Sequence, residues 1–159
     1  MEYKAQYEAY LAQASKALDA ACGQFLPETS EVCRAARYSL LGGGKRIRAV
    51  LVLSVCDLLG GDKAAAGQFA AAVEMLHCYS LIHDDLPCMD NDDLRRGRPS
   101  CHKAFDEATA MLAGDVLLTE AFEVVANAPA SAQACVRAAR ALGAGAGSRG
   151  MVYGQELDL

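Results

Sequence analysis

Between Lys63 and Asp85 the sequence is apolar on nearly every side of any helix drawn through it, with Phe69, Val73, Met75, Leu76, Leu81 and Ile82 spread around the axis. A helix of about six turns with that surface has to be wrapped by other elements. It therefore belongs at the centre of an all-α bundle. Asp62 is placed to cap its first turn. Pro87 disfavours helical geometry at Leu86, so the helix should stop beside Asp84 and Asp85.

The remaining sequence supplies the wrapping. Apolar residues recur at three- and four-residue steps through most of the 159 residues, and tryptophan is absent. A first helix is predicted over 3–21, burying Tyr7, Tyr10, Leu11, Ala14 and Leu18, with Gly23 and Pro27 closing it. Others are predicted over 31–41, over 45–59 between two glycine turns, and, past a polar loop at 88–101, over 106–127 and 130–142. The glycines at 143, 145, 147 and 150 are expected to form a loop before a last helical stretch that lacks a terminating signal. One unit spanning 1–159 is expected, without repeats.

Composition narrows the partners. The net charge is −5, and basic residues gather only near 45–48 and 95–98, which suits a small anionic ligand and argues against nucleic acid. The first residues do not form a secretory signal and no apolar run reaches membrane-spanning length, so a cytoplasmic protein is expected. Seven cysteines form no CxxC pair and are expected to be small buried apolar residues. A zinc site from His83, Cys88, Cys101 and His102 matches no familiar ligand spacing.

Chemistry concentrates in two clusters. Asp84, Asp85 and Asp90 are followed at once by Arg95, Arg96 and Arg98. Carboxylates this close disfavour one another's ionisation unless a cation intervenes, and neighbouring guanidinium groups favour an anion between them. A diphosphate bridged through Mg²⁺ satisfies both. On an unbroken helix Asp84 and Asp90 would point to different sides, but an excursion after Leu86 can return Asp90 toward Asp84 and complete an oxygen-ligand set. The second cluster, Gly42-Gly43-Gly44-Lys45-Arg46-Ile47-Arg48, places Lys45 and Arg48 three apart on a predicted first helical turn, where free N–H groups attract phosphate. It is not a nucleotide P-loop, because Arg46 stands where Ser or Thr would hold the metal. His77, two turns before Asp84, is either a packing residue or a phosphate partner. Asp115 reads as a buried structural carboxylate.

Four segments together, Gly43-Gly44-Lys45-Arg46-Ile47-Arg48, Leu81 through Asp90, Asp93-Leu94-Arg95-Arg96-Gly97, and Gly154-Gln155 with Asp158-Leu159, make the chain resemble a bacterial trans-prenyl diphosphate synthase of the farnesyl type, in the polyprenyl synthetase family. The resemblance implies an antiparallel helical bundle of the isoprenoid synthase type around a deep cavity, usually dimeric and dependent on Mg²⁺. It implies that Asp84, Asp85 and Asp90 hold the metals that grip an allylic diphosphate, dimethylallyl or geranyl, with Arg95 assisting. By the same likeness Lys45, Arg48, His77 and Arg96 bind isopentenyl diphosphate. Ionisation of the allylic C–O bond would be followed by attack of the isopentenyl double bond and loss of a proton. Tyr79, five residues before Asp84, takes the place that sets product length, and a ring there favours the fifteen-carbon product. Tyr79→Ala is accordingly expected to lengthen products; an unchanged product distribution would reject the assignment.

Such synthases carry a second aspartate-rich motif that no segment after Asp93 supplies. The chain is therefore expected to be the N-terminal part of one synthase domain, or a short relative, with little or no turnover in isolation. Two other readings stand beside it. A terpene cyclase shares the cavity and metal site but handles one diphosphate, against which the Lys45/Arg48 cluster speaks. A non-catalytic regulatory subunit of a synthase fits the length, whereas the intact Asp84, Asp85, Asp90 and Arg95 oppose it.

Overall fold

The computed structural model describes residues 2–159. Its helices are α1 (Tyr3–Phe25), α2 (Glu31–Leu40), α3 (Ile47–Leu58), α4 (Lys63–Asp84), α5 (Cys101–Ala104), α6 (Glu107–Ala126), α7 (Ala132–Ala146) and α8 (Met151–Asp158), with a hairpin of β1 (Leu94–Arg95) and β2 (Arg98–Pro99) between α4 and α5. The all-α class is as the periodicity required. Starts of helices are chemically marked: Ser30, Asp62, Asp106 and Ser131 each accept a backbone N–H of the first turn of α2, α4, α6 and α7.

Helix α4 is the hub. It packs most extensively on α6 and then on α3 and α1, and twelve of its residues are buried. Two apolar clusters divide along it. Its first half meets Tyr10, Ala14, Ala49, Val50 and Leu53 of α1 and α3. Its second half, through Met75, Leu76, Tyr79 and Ile82, meets α2 and α6 around Leu26, Leu40, Leu117 and Val124. Alanine at 35, 36, 70, 72, 110, 113 and 121 is fully buried, and these small side chains let the helices approach closely.

Several boundaries differ from the sequence expectation for identifiable reasons. Helix α1 continues through Gly23, whose missing side chain would meet open space, and ends at Phe25. Helix α3 begins at Ile47 because Arg46 is left-handed, with φ of 49°. Helix α7 runs through Gly143 and Gly145 to Ala146, confining the loop to the residues before Met151. The polar loop holds the hairpin, turned by Arg96 and Gly97 at φ of 55° and 76°. Two positive φ values are what a tight two-residue turn matching strand twist demands, but Arg-Gly is a weaker signal for it than Asn-Gly.

The cysteines are all free, as anticipated, and only Cys88 is exposed. Burial raises the thiols of Cys22 and Cys78 to about 11 and about 12, which makes them inert apolar fillers. No helix among the described residues is long and apolar enough to cross a membrane. The expected deep cavity is not enclosed by these elements: Asp85, Arg95 and Arg96 line a cleft of about 30 Å³, whereas the wide groove of about 940 Å³ lies between α1 and α3.

Candidate functional site

The C-terminal end of α4 carries the aspartates. Asp85 is 2% exposed, and its two oxygens accept from Arg95 Nε at 3.0 and 3.3 Å, with a further bond from Nη2 to Oδ1. Arg95 also reaches Asp92 at 3.4 Å. Asp84 faces another way, and its Oδ1 accepts from Nε2 of Gln155 on α8. Beyond Asp85 the chain curls tightly: the N–H of Asp90 donates to the Asp84 carbonyl at 2.8 Å, and those of Met89 and Asn91 donate to the Leu86 carbonyl at 2.9 and 3.1 Å. Pro87 thus produces the expected excursion, and Asp90 returns beside Asp84.

The electrostatics follow from that curl. Partial burial, then the Asp90 charge, push the Asp84 carboxyl above the usual range, with Gln155 and Arg95 opposing. The Arg95 guanidinium is correspondingly held above its usual value, chiefly by its hydrogen bond to Asp85. Among the described residues no three histidine, cysteine, aspartate or glutamate side chains converge on one point. Asp85 is engaged by its arginine, and Asp84 and Asp90 are the pair left to attract a cation.

The cationic side is assembled by the hairpin. Arg96, at its turn, donates from Nη1 to the Gly43 carbonyl, and a Cβ on Gly44 would fall 2.8 Å from the Arg96 Cζ. Gly44, at φ of 117°, is therefore required both by backbone conformation and by the guanidinium pressed against it. Burial lowers His77 below its ordinary value, and Arg48, Arg96 and Arg46 lower it further while Glu74 opposes them. Burial and Arg46 likewise lower Arg96. His77 is thus within electrostatic reach of both Arg48 and Arg96, in a setting that favours an added anion.

Two expectations about this side are corrected. Lys45 precedes α3 instead of sharing its first turn with Arg48; it is exposed, and its carbonyl accepts from the Tyr7 hydroxyl. The helix start is also less open than expected, because Glu74 Oε1 accepts the Ala49 N–H at 3.2 Å.

Residues that sequence reasoning passed over are prominent. Glu74 is 2% exposed and pairs with the buried Arg46 at 3.4 Å; a single carboxylate within the apolar stretch of α4 was its signal. Gln155 lay within a motif but had no visible target 71 residues away. His83 bonds the Met111 carbonyl through Nε2 at 2.9 Å and meets the Tyr79 ring edge-on at 5.7 Å. Tyr79 itself is buried. Asp115 is exposed, 3.9 Å from His83, and is not the buried carboxylate expected; an otherwise apolar neighbourhood in sequence lay on a different face of α6.

Residues 29–159 match the polyprenyl synthetase family model. The chain belongs to that family. Among curated relatives, the farnesyl diphosphate synthase of Micrococcus luteus is 52% identical over 86% of this chain and 47% of its own length. The chloroplastic heterodimeric geranylgeranyl pyrophosphate synthase large subunit 1 of Arabidopsis thaliana is 53% identical over 91% of the chain and 40% of its own length. The crystal structure of a geranyltransferase from Legionella pneumophila superposes with a TM-score of 0.92 at 45% identity, covering 98% of this chain and 55% of that one. This polyprenyl synthetase chain thus spans less than half the length of the curated relatives described.

Proposed function

We propose that the chain provides the substrate-gripping half of a Mg²⁺-dependent prenyltransferase that joins isopentenyl diphosphate to a dimethylallyl or geranyl diphosphate, giving farnesyl diphosphate. The observation that carries this is the placement of two oppositely charged stations along α4: His77 among Arg48 and Arg96, and, about 10 Å farther along the axis, Asp84 beside Asp90. One helix thereby sets the spacing of two diphosphate sites.

A divalent cation suits the aspartate end, since Asp84 is raised first by partial burial and then by the Asp90 charge, and a bound cation would offset both. Mg²⁺ commonly takes one or two carboxylates and completes its shell with water and phosphate oxygens. Asp84 and Asp90 would hold it, and Asp85 would join by releasing Arg95. When bound, the metal supplies Lewis-acid stabilisation of a departing diphosphate. Arg95 adds positive charge on that side, while Lys45, Arg48, His77 and Arg96 orient the isopentenyl diphosphate. Tyr79 is proposed to limit the length of the growing chain, and the complete enzyme is proposed to be a cytoplasmic homodimer.

Asp84→Asn tests the metal assignment. The folded Asp84 pKa lies above its ordinary value, so ionised Asp84 opposes folding at neutral pH and this cost is relieved as pH falls through the folded pKa. The amide should therefore keep or slightly raise thermal stability, by at most ~0.5 kcal/mol given solvent screening. In titration calorimetry the unaltered chain should bind geranyl diphosphate at least tenfold more tightly with Mg²⁺ than without, and Asp84→Asn should lose that difference. Equal Mg²⁺ dependence in both proteins would overturn the assignment.

A further inference from the structure

The glycine-rich loop before α3 holds a conformation that its own sequence does not favour. Arg46 is a non-glycine residue at φ of 49°, a left-handed geometry that residues with a Cβ rarely adopt. Such a residue persists only where its surroundings over-determine it. Here they do. The Arg46 side chain turns inward, 7% exposed, donating from Nη2 to the Leu40 carbonyl at the end of α2 and pairing through Nη1 with Glu74 Oε2 at 3.4 Å. The other oxygen of Glu74 accepts the Ala49 N–H from the first turn of α3 at 3.2 Å. One carboxylate on α4 therefore grips both the last loop residue and the helix that follows it, and Arg46 ties the same point to α2.

This clamp lies in sequence between two exposed cations, Lys45 at the end of the loop and Arg48 in the first turn of α3. Glu74 stands three residues before His77, one helical turn along α4 and near the same face. An isolated buried ion pair is a poor source of stability, because desolvation offsets most of its Coulombic gain. Its geometry nevertheless fixes where the loop sits along α4.

We propose that Glu74, acting through Arg46 and the Ala49 N–H, is a positioning residue that sets the register of Lys45 and Arg48 against His77 and Arg96, and so controls affinity for isopentenyl diphosphate without contacting it. It rests on the diphosphate sites proposed above. Glu74 is selective in its effect: the aspartate end of α4, held by Arg95 and Gln155, does not depend on it.

Two variants test this, with folding checked by circular dichroism and thermal melting. Arg46→Met/Glu74→Leu exchanges the pair for apolar side chains of similar length, a replacement that often preserves stability. Glu74→Gln keeps the size and removes the charge that holds Arg46. Calorimetry on the full chain should find isopentenyl diphosphate bound at least tenfold more weakly by the folded variants, with Mg²⁺-dependent binding of geranyl diphosphate within twofold of the unaltered chain. Isopentenyl diphosphate affinity within twofold of the unaltered chain in either folded variant overturns the role of Glu74 alone. Equal weakening at both sites also overturns it, since the effect would then be global. If the unaltered chain binds neither diphosphate, the proposed function falls and this role with it.

Discussion

Gly114→Ala should lower the melting temperature by roughly 4–8 °C, corresponding to about 2 kcal/mol in a chain of this size. Helix propensity alone predicts the opposite sign, because alanine is favoured over glycine in a helix interior by about 1 kcal/mol. Space decides. A Cβ at 114 would lie 2.1 Å from His83 Nε2 and 2.4 Å from its Cδ2. The imidazole has little freedom to retreat, since it bonds the Met111 carbonyl at 2.9 Å and rests against Tyr79. Overpacking of this kind costs about 1–3 kcal/mol, and a displaced His83 also gives up a hydrogen bond of about 1 kcal/mol. The strain falls on the contact between α4 and α6, one residue from Asp84. His83→Ala/Gly114→Ala should recover part of the loss, and a melting temperature for Gly114→Ala at or above that of the unaltered chain would refute the packing argument.

Arg95→Ala should destabilise the fold by about 3 kcal/mol, read from urea unfolding. The change leaves Asp85, 2% exposed, without the guanidinium that its oxygens receive. Breaking a buried pair from one side costs about 3–5 kcal/mol. The lower end applies because the Arg95 side chain is 34% exposed and water can enter behind it. Arg95→Lys should fall between the two, since a point charge cannot reproduce the two-pronged geometry. The binding consequence reaches farther than Asp85. Arg95 anchors the hairpin whose turn delivers Arg96 to the Gly43 carbonyl, so isopentenyl diphosphate affinity should fall together with stability. A loss under 0.5 kcal/mol would mean that Asp85 finds another partner.

The parts of the site that are legible in the amino-acid sequence are those specified by local chemistry. The break at Pro87 and the return of Asp90 follow from short-range spacing on a helix and its flanking turn, whereas the grouping of Arg48, His77 and Arg96 came only from the family resemblance. The parts that are not legible depend on partners distant in sequence. Gln155 reaches Asp84 from α8, Arg96 reaches Gly43 across 53 residues, and Glu74 holds Arg46 across 28. Lys45 falls outside its expected helical turn because the left-handed state of Arg46 is stabilised by burial against α4, which no local signal reports.

The sequence by itself determined the helical class, the central place of α4, its stop beside the aspartates and the two charge clusters. Those follow from periodicity, caps and proline geometry, which act over a few residues. The tertiary structure alone decided which charges are free to meet ligands: Asp85 is taken by Arg95 and Arg46 by Glu74, while Asp84, Asp90, Lys45 and Arg48 are left more open. The physical reason is that a buried charge must find its counter-charge wherever packing brings one, and packing is a property of the whole bundle.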